Sequence, residues 1–292
     1  MSRGGLLARE AWAGGLLADA HIEGGRGLSG ETRAVRIPPA LSASPAGTMW
    51  LRDARGSLIR GTSSQWERVP VPVANLLGLV PSDDGGAILL APRADGFDLV
   101  AIDARARERW RRGSHDLLGS SVTPESATPR LLQDERGRAY LHVRAPHATV
   151  FDVDSATGAV QAAVELRGYD ASVLVWHGAV WRIQFDGVHR RWLRRPFHGP
   201  DEVVLGGGTL DDTFLTAIAV APDGGPVLTD GRRILKIAPD GREVPIPWPD
   251  LPAPAGPPPA VLDVLRALPR PEGLWVVYAD GAGWSVHALP VG

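Results

Sequence analysis

Hydrophobic positions along this chain come in short bursts, and within most bursts they alternate with polar residues in steps of two. GPVLTDGRRILKIAPDG (225–241) is an apolar run, an Asp-Gly turn, a second alternating run and another Asp-Gly turn. GLWVVYADGAGWSVHAL (273–289) has the same layout, and 47–61, 86–103, 138–154 and 178–193 repeat it. Alternation of period two marks half-buried strands, and Asp-Gly between two of them marks a hairpin because the turn needs positive φ. The central turns fall at 53–56, 95–96, 146–147, 186–187, 230–231 and 280–281, a spacing of about 40–50 residues.

A further apolar segment precedes most hairpins, such as PRLLQ before 134–137 and TAIAV before 222–225, and a short strand-like segment follows, such as DEVVL at 201–205. Four antiparallel strands in a repeat of this length are one blade of a β-propeller. The expected fold is therefore all-β: a six-bladed β-propeller of four-stranded antiparallel blades. The last unit runs out after its third strand, so TRAVRIP (32–38) is expected to pair onto 282–289 and close the ring. Residues 1–24 are expected as an N-terminal arm or short helix, their helical spacing interrupted by Gly14-Gly15, and 25–292 as a single propeller domain.

Composition sharpens this picture. Gly 35 and Pro 26 supply the many turns that short strands require. Among 10 Trp, Trp50, Trp181 and Trp275 recur at equivalent positions of second strands, which assigns them to packing between blades. Lys+Arg 31 against Asp+Glu 33 leaves no basic excess for a nucleic-acid partner. No apolar run is long enough to cross a bilayer, so no membrane partner is expected. Cys is absent, which removes disulfides and thiolate metal sites. Arg9 and Glu10 interrupt the stretch a signal peptide would need apolar, and a cytoplasmic location is expected.

The chemical motifs are thin. Gly25-x-Gly27-x-x-Gly30 matches a dinucleotide fingerprint in letters, but Pro38-Pro39 forbids the helix it must open. His142 reads as a strand residue with a structural role, and no serine carries the context of a nucleophile elbow. The long connections 113–128, 206–213 and 249–260 fall on the face of the central hairpin turns, where Pro-rich loops are cheap to order on binding. This face, with Arg112, His115, His147, His189, Arg232 and Trp248, is the expected docking surface for a protein partner, with no catalytic residue and no cofactor.

The stretch IAVAPDGGPVLTDGRRILKIAPDGREV (218–244) resembles the NHL repeat, and ATVFDVDSATG (148–158) resembles the outer hairpins of YVTN and quinoprotein propellers. The Trp- and Arg-rich strands are similar to the propeller proteins of bacterial three-part systems that pair a MoxR ATPase with a von Willebrand factor A protein. These resemblances imply a propeller, and the last would make it the propeller component of such a system; the non-enzymatic binding scaffold itself is expected from the missing catalytic signatures and the loop distribution. The alternative is a calcium-dependent hydrolase or lactonase resembling the SMP-30/gluconolactonase family, which holds a divalent ion at its channel mouth. That resemblance implies Ca²⁺ held by acidic residues, for which Glu125, Asp170, Asp211 and Asp212 are the candidates. The chain's one Asn, Asn75, leaves the family's amide ligands without counterparts.

Overall fold

The computed structural model describes residues 6–11, 40–44, 46, 48–52, 58–61, 66–73, 76–118, 129–144, 148–167, 169–206, 210, 216–229, 234–246, 263–270, 273–280 and 283–289. Five blades are each built from four consecutive antiparallel strands. The first holds β2 (Ala40–Ala43), β3 (Met49–Arg52), β4 (Leu58–Gly61) and β5 (Trp66–Val69). The second holds β6 (Gly78–Pro81), β7 (Ala87–Arg93), β8 (Gly96–Ile102) and β9 (Glu108–Gly113), followed by a single helical turn, α1 (Ser114–Leu118). The third holds β10 (Pro129–Gln133), β11 (Ala139–Val143), β12 (Thr149–Val153) and β13 (Val160–Glu165). The fourth holds β14 (Tyr169–Trp176), β15 (Ala179–Phe185), β16 (Arg190–Pro196) and β17 (Glu202–Gly206). The fifth holds β18 (Thr216–Val220), β19 (Pro226–Thr229), β20 (Ile234–Ile237) and β21 (Glu243–Ile246).

The remaining sheet is composite. β22 (Asp263–Arg270), β23 (Gly273–Asp280) and β24 (Gly283–Leu289) are joined by β1 (Leu6–Ala11), which pairs with β24 from Leu6↔His287 to Ala11↔Gly283. This corrects the expectation of six like blades closed by 32–38. Five blades are of the consecutive kind, the strand beside β24 is Leu6–Ala11, and 32–38 lie outside the described residues. The physical reason lies in Gly14-Gly15: the segment before them is too short to nucleate a helix alone, whereas the free edge of β24 offers a ready ladder of backbone partners. The segment expected as a separate arm thus contributes a strand to the sheet system.

Position within a blade explains the patterning. Second strands lie between neighbours and between blades, so β7, β11 and β19 are buried at nearly every residue. Outer strands β9, β13, β17 and β21 are largely exposed and carry the charges. The core is a series of inter-blade layers. Trp50, Leu58 and Val69 of the first blade meet Leu79, Leu89 and Val100 of the second. Trp181 stacks on Trp192 with centroids 5.5 Å apart, and both join Val227, Leu228 and Ile237 of the fifth. The packing role expected of Trp50 and Trp181 is what they have; Trp275 stands in register with Leu268 and Ala288 in β23.

Turn chemistry recurs from blade to blade. Asp103, Asp134 and Asp154 each open a turn and accept backbone N–H bonds from residues two to four positions on. A fourth turn residue at positive φ is Gly at 137 and 241 but Ala at 106 with φ 61°, and in the longer turn opened by Asp154 the fifth residue, Gly158, takes that conformation.

Candidate functional site

Inner strands β2, β6, β10, β14, β18 and β22 neighbour one another in that order, and β22 also lies against β2. In a propeller all inner strands run the same way, so their first residues gather on one face and their last on the other. The face where they end is stoppered. Gln133, last in β10, donates Nε2–H to the Ala43 carbonyl at 2.9 Å, and Ser42 Oγ donates to Gln133 Oε1 at 3.2 Å. These bonds step over β6 to join two inner strands that are not neighbours, and Ser42 is only 2% exposed.

A second polar knot lies on the same face. The His177 backbone N–H donates to Glu135 Oε2 at 3.1 Å, and the Trp176 indole N–H donates to His177 Nε2 at 3.1 Å. Since indole nitrogen can only donate, Nε2 accepts, and His177 Nδ1–H is left to donate to Glu135 Oε1 at 3.1 Å. Glu135 is 3% exposed, so this pair locks the turn of the fourth blade to that of the third. A cleft of about 370 Å³ opens nearby between the second and third blades, lined by Asp84, Arg109, Arg138, Asp154 and Gln161 among others. Most of its charges are already paired: Arg109 with Asp84, Arg138 with Asp152 at 2.9 Å, and Gln161 donates to Asp154 at 2.8 Å.

The face where inner strands begin is different. Arg130, second in β10, is exposed and stands in register with His142 of β11, which in turn opposes Val150 of β12. Cross-strand partners share one side of a sheet, so Arg130 and His142 form one row. Arg144, exposed, follows two residues on at the same end. His142 is 3% exposed, and its Nε2 is buried with no hydrogen-bond partner among the described residues. Burial first, then the guanidiniums of Arg144 and Arg130, hold its pKa down at about 4, so the imidazole is neutral at neutral pH. Arg182 anchors the connection into the fourth blade from below: its Nη1 donates to the Arg167 carbonyl at 2.8 Å and its Nη2 to Asp201 at 2.9 Å.

The residues expected for partner docking are not gathered. Arg112 donates to the Thr157 carbonyl of the neighbouring blade at 3.1 Å, His115 in α1 lies 3.9 Å from Asp95, and His189 is in the exposed turn before β16. His147, Arg232 and Trp248 lie outside the described residues. Of the acidic candidates, Asp170 is second in β14 and in register with Gln184, whereas Glu125, Asp211 and Asp212 lie outside the described residues. Among the described residues no three His, Asp or Glu side chains converge as a metal site. The described Asp side chains that open turns are occupied by backbone N–H groups, so the described donor set does not by itself fit a divalent ion. The row of Arg130, His142 and Arg144 was not singled out as a site from the sequence. Its signal there is a histidine in a buried strand with arginine two residues on.

No protein-family model matches the chain, and no curated protein matches it. Solved structures do. It is similar to a candidate gluconolactonase with a TM-score of 0.52 at 13% identity, covering 97% of this chain and 98% of that one. A gluconolactonase from Xanthomonas campestris gives 0.51 at 11%, covering 99% and 98%. Virginiamycin B lyase from Staphylococcus aureus gives 0.50 at 14%, covering 82% and 76%. At these identities the likeness is one of propeller fold, and none of the three is named as a component of a MoxR ATPase–von Willebrand factor A system.

Proposed function

We propose that this chain is a hydrolase of the lactonase type, acting at the channel mouth on the face where the inner strands begin. The composite sheet is, in this reading, the sixth blade of the ring. The expectation of a non-enzymatic scaffold binding a protein partner is corrected. The loops that carried it lie largely outside the described residues, Arg112, His115 and His189 stand apart, and the full-length structural likenesses bear the names of gluconolactonases. The observation that carries the proposal is the polarity of the channel: a stopper of Ser42, Ala43 and Gln133 at one end, and at the other a mouth bearing arginines beside a neutral histidine.

Lactone hydrolysis adds water to the ring carbonyl, breaks the ring C–O bond and leaves a carboxylate and a proton. Ca²⁺ belongs to the proposal as a Lewis acid that would polarise that carbonyl. Its proposed oxygen donors are Asp170 with Glu125, Asp211 and Asp212, and no step is derived through the ion because the described residues alone do not make its site. The test is glucono-δ-lactone turnover followed by proton release, with Ca²⁺ and with EDTA. Turnover above the spontaneous rate, lost in EDTA and restored by Ca²⁺, is expected. A rate equal to buffer under both conditions refutes the reading.

A further inference from the structure

We infer that the mouth between the third and fourth blades is a binding site for an oxyanion, the carboxylate or phosphate group of a small-molecule ligand, with Arg130 and Arg144 as its donors. Most other described arginines have a carboxylate in hand: Arg60 holds Glu67, Arg111 holds Glu108 and Asp98, Arg191 holds Asp186, and Arg194 holds Glu202. Arg130 and Arg144 have no carboxylate partner among the described residues, and neither has the exposed Arg167 at the same end. Arg105, in the exposed turn between β8 and β9 on the opposite face, and Arg112, which donates to the Thr157 carbonyl, also lack one, but the other three fall together at one end of the third blade and its exit.

Among the residues whose side chains are described, no carboxylate is paired with that charge. Glu165 ends β13 on the same face, but it is in register with Thr149 and so with Val143, on the opposite side of the sheet from the Arg130–His142–Val150 row. Across the blade interface Arg182 already holds Asp201. His142, the one titratable group inside the row, is neutral and keeps a buried Nε2 without a partner. Two guanidinium forks over an uncharged polar floor suit a planar carboxylate or a phosphate, which accept paired N–H bonds. As a statement about the reaction this rests on the lactonase reading, in which the site would hold the carboxylate that hydrolysis of the lactone leaves; as a statement about binding it is tested separately.

The experiment is an equilibrium titration of the full chain with inorganic phosphate, with gluconate and with glucose as the uncharged comparison, alongside the proton NMR signal of His142 assigned with His142→Gln. Saturable binding of at least one anion and none of glucose is expected. Gluconate alone would identify a carboxylate site and phosphate alone a phosphate site. Arg130→Gln and Arg144→Gln should each weaken binding about tenfold or more, and Arg130→Lys, which keeps the charge but loses the fork, should be intermediate. Bound anion should also raise the His142 pKa above its free value, because it offsets the two cations that lower it. Exposed positions 130 and 144 keep the variants folded, which unchanged melting confirms. No saturable binding, equal binding of glucose, or binding unchanged in both glutamine variants overturns the site. Anion binding without lactone turnover would retain the site and discard the lactonase.

Discussion

Gln133 and Ser42 meet across the end of the central channel, two inner strands apart, and each satisfies the other: the hydroxyl donates at 3.2 Å and the amide passes its own N–H on to Ala43 at 2.9 Å. Gln133→Leu fills the same space but leaves the hydroxyl and carbonyl without partners in a dry setting. It should cost about 1–3 kcal/mol, read as a melting midpoint lower by a few degrees. Gln133→Glu should be worse, since a carboxylate would face the Ala43 carbonyl. An undiminished midpoint for Gln133→Leu would mean that the bridge contributes nothing.

His142 makes the protein acid-sensitive. Its folded pKa, about 4, lies below the ordinary 6.5, so the unfolded chain takes up the proton first. The stability this contributes is fully present above about pH 6.5 and is lost as pH falls toward 4, amounting to about 3 kcal/mol. His142→Leu should remove that part of the pH dependence while costing little at neutral pH, because the imidazole Nε2 has no described partner to lose. Denaturant titrations of both proteins across this range check it; parallel profiles would sink the assignment.

A single methyl group should cost stability at both Ala106 and Gly225. Ala106 occupies a left-handed turn position, φ 61°, where Gly137 and Gly241 stand in equivalent turns. Ala106→Gly should stabilise by about 0.5–1 kcal/mol. Gly225 lies against the strand beside it, and a Cβ there would come within 2.4 Å of the Ile237 carbonyl oxygen. Gly225→Ala should therefore destabilise by about 2 kcal/mol or more. Chemical denaturation measures both, and a loss of stability in Ala106→Gly would contradict the turn geometry.

The partnership of β1 with β24 gives a sharper test than any truncation. Ala8 and Arg9 are in register with Val286 and Ser285, and since alternate residues of an edge strand donate to the partner, the more damaging of Ala8→Pro and Arg9→Pro removes a ladder donor and should destabilise by about 1 kcal/mol or more. Were 32–38 the strand in that place, Val35→Pro would be the damaging change and both of these silent. Hydrogen exchange at Val286 should accelerate in the more damaging variant.

Most of the blade architecture was legible in the sequence because it is local. Asp134 and Gly137 announce a turn, AYLHV (139–143) announces a buried strand, and both are found where the pattern puts them. Trp50 and Trp181 were readable as packing residues because they recur at matching repeat positions. What escaped reading depends on register and on distance. Arg130 and His142 become neighbours only through the particular pairing of β10 with β11, and a slip of one residue would have put them on opposite sides. Gln133 finds Ser42 through the closure of a ring, and no spacing rule connects them. The strand beside β24 was misassigned for a related reason: TRAVRIP (32–38) alternates apolar and polar residues whereas LLAREA (6–11) does not, and alternation does not say which segment will join a given edge.

The composite sheet sets an order on events in the cell. Leu6–Ala11 is made well before Gly283–Leu289, its only described sheet partner. Until then one strand has no ladder to join and the other does not yet exist, so this junction cannot form while the intervening blades are being built. The loop to be closed spans most of the chain, which makes the joining step slow relative to hairpin formation within each blade. During that interval an unpaired strand edge is exposed at each side of the gap, and the nascent protein is then most open to capture by a chaperone or by another copy of itself.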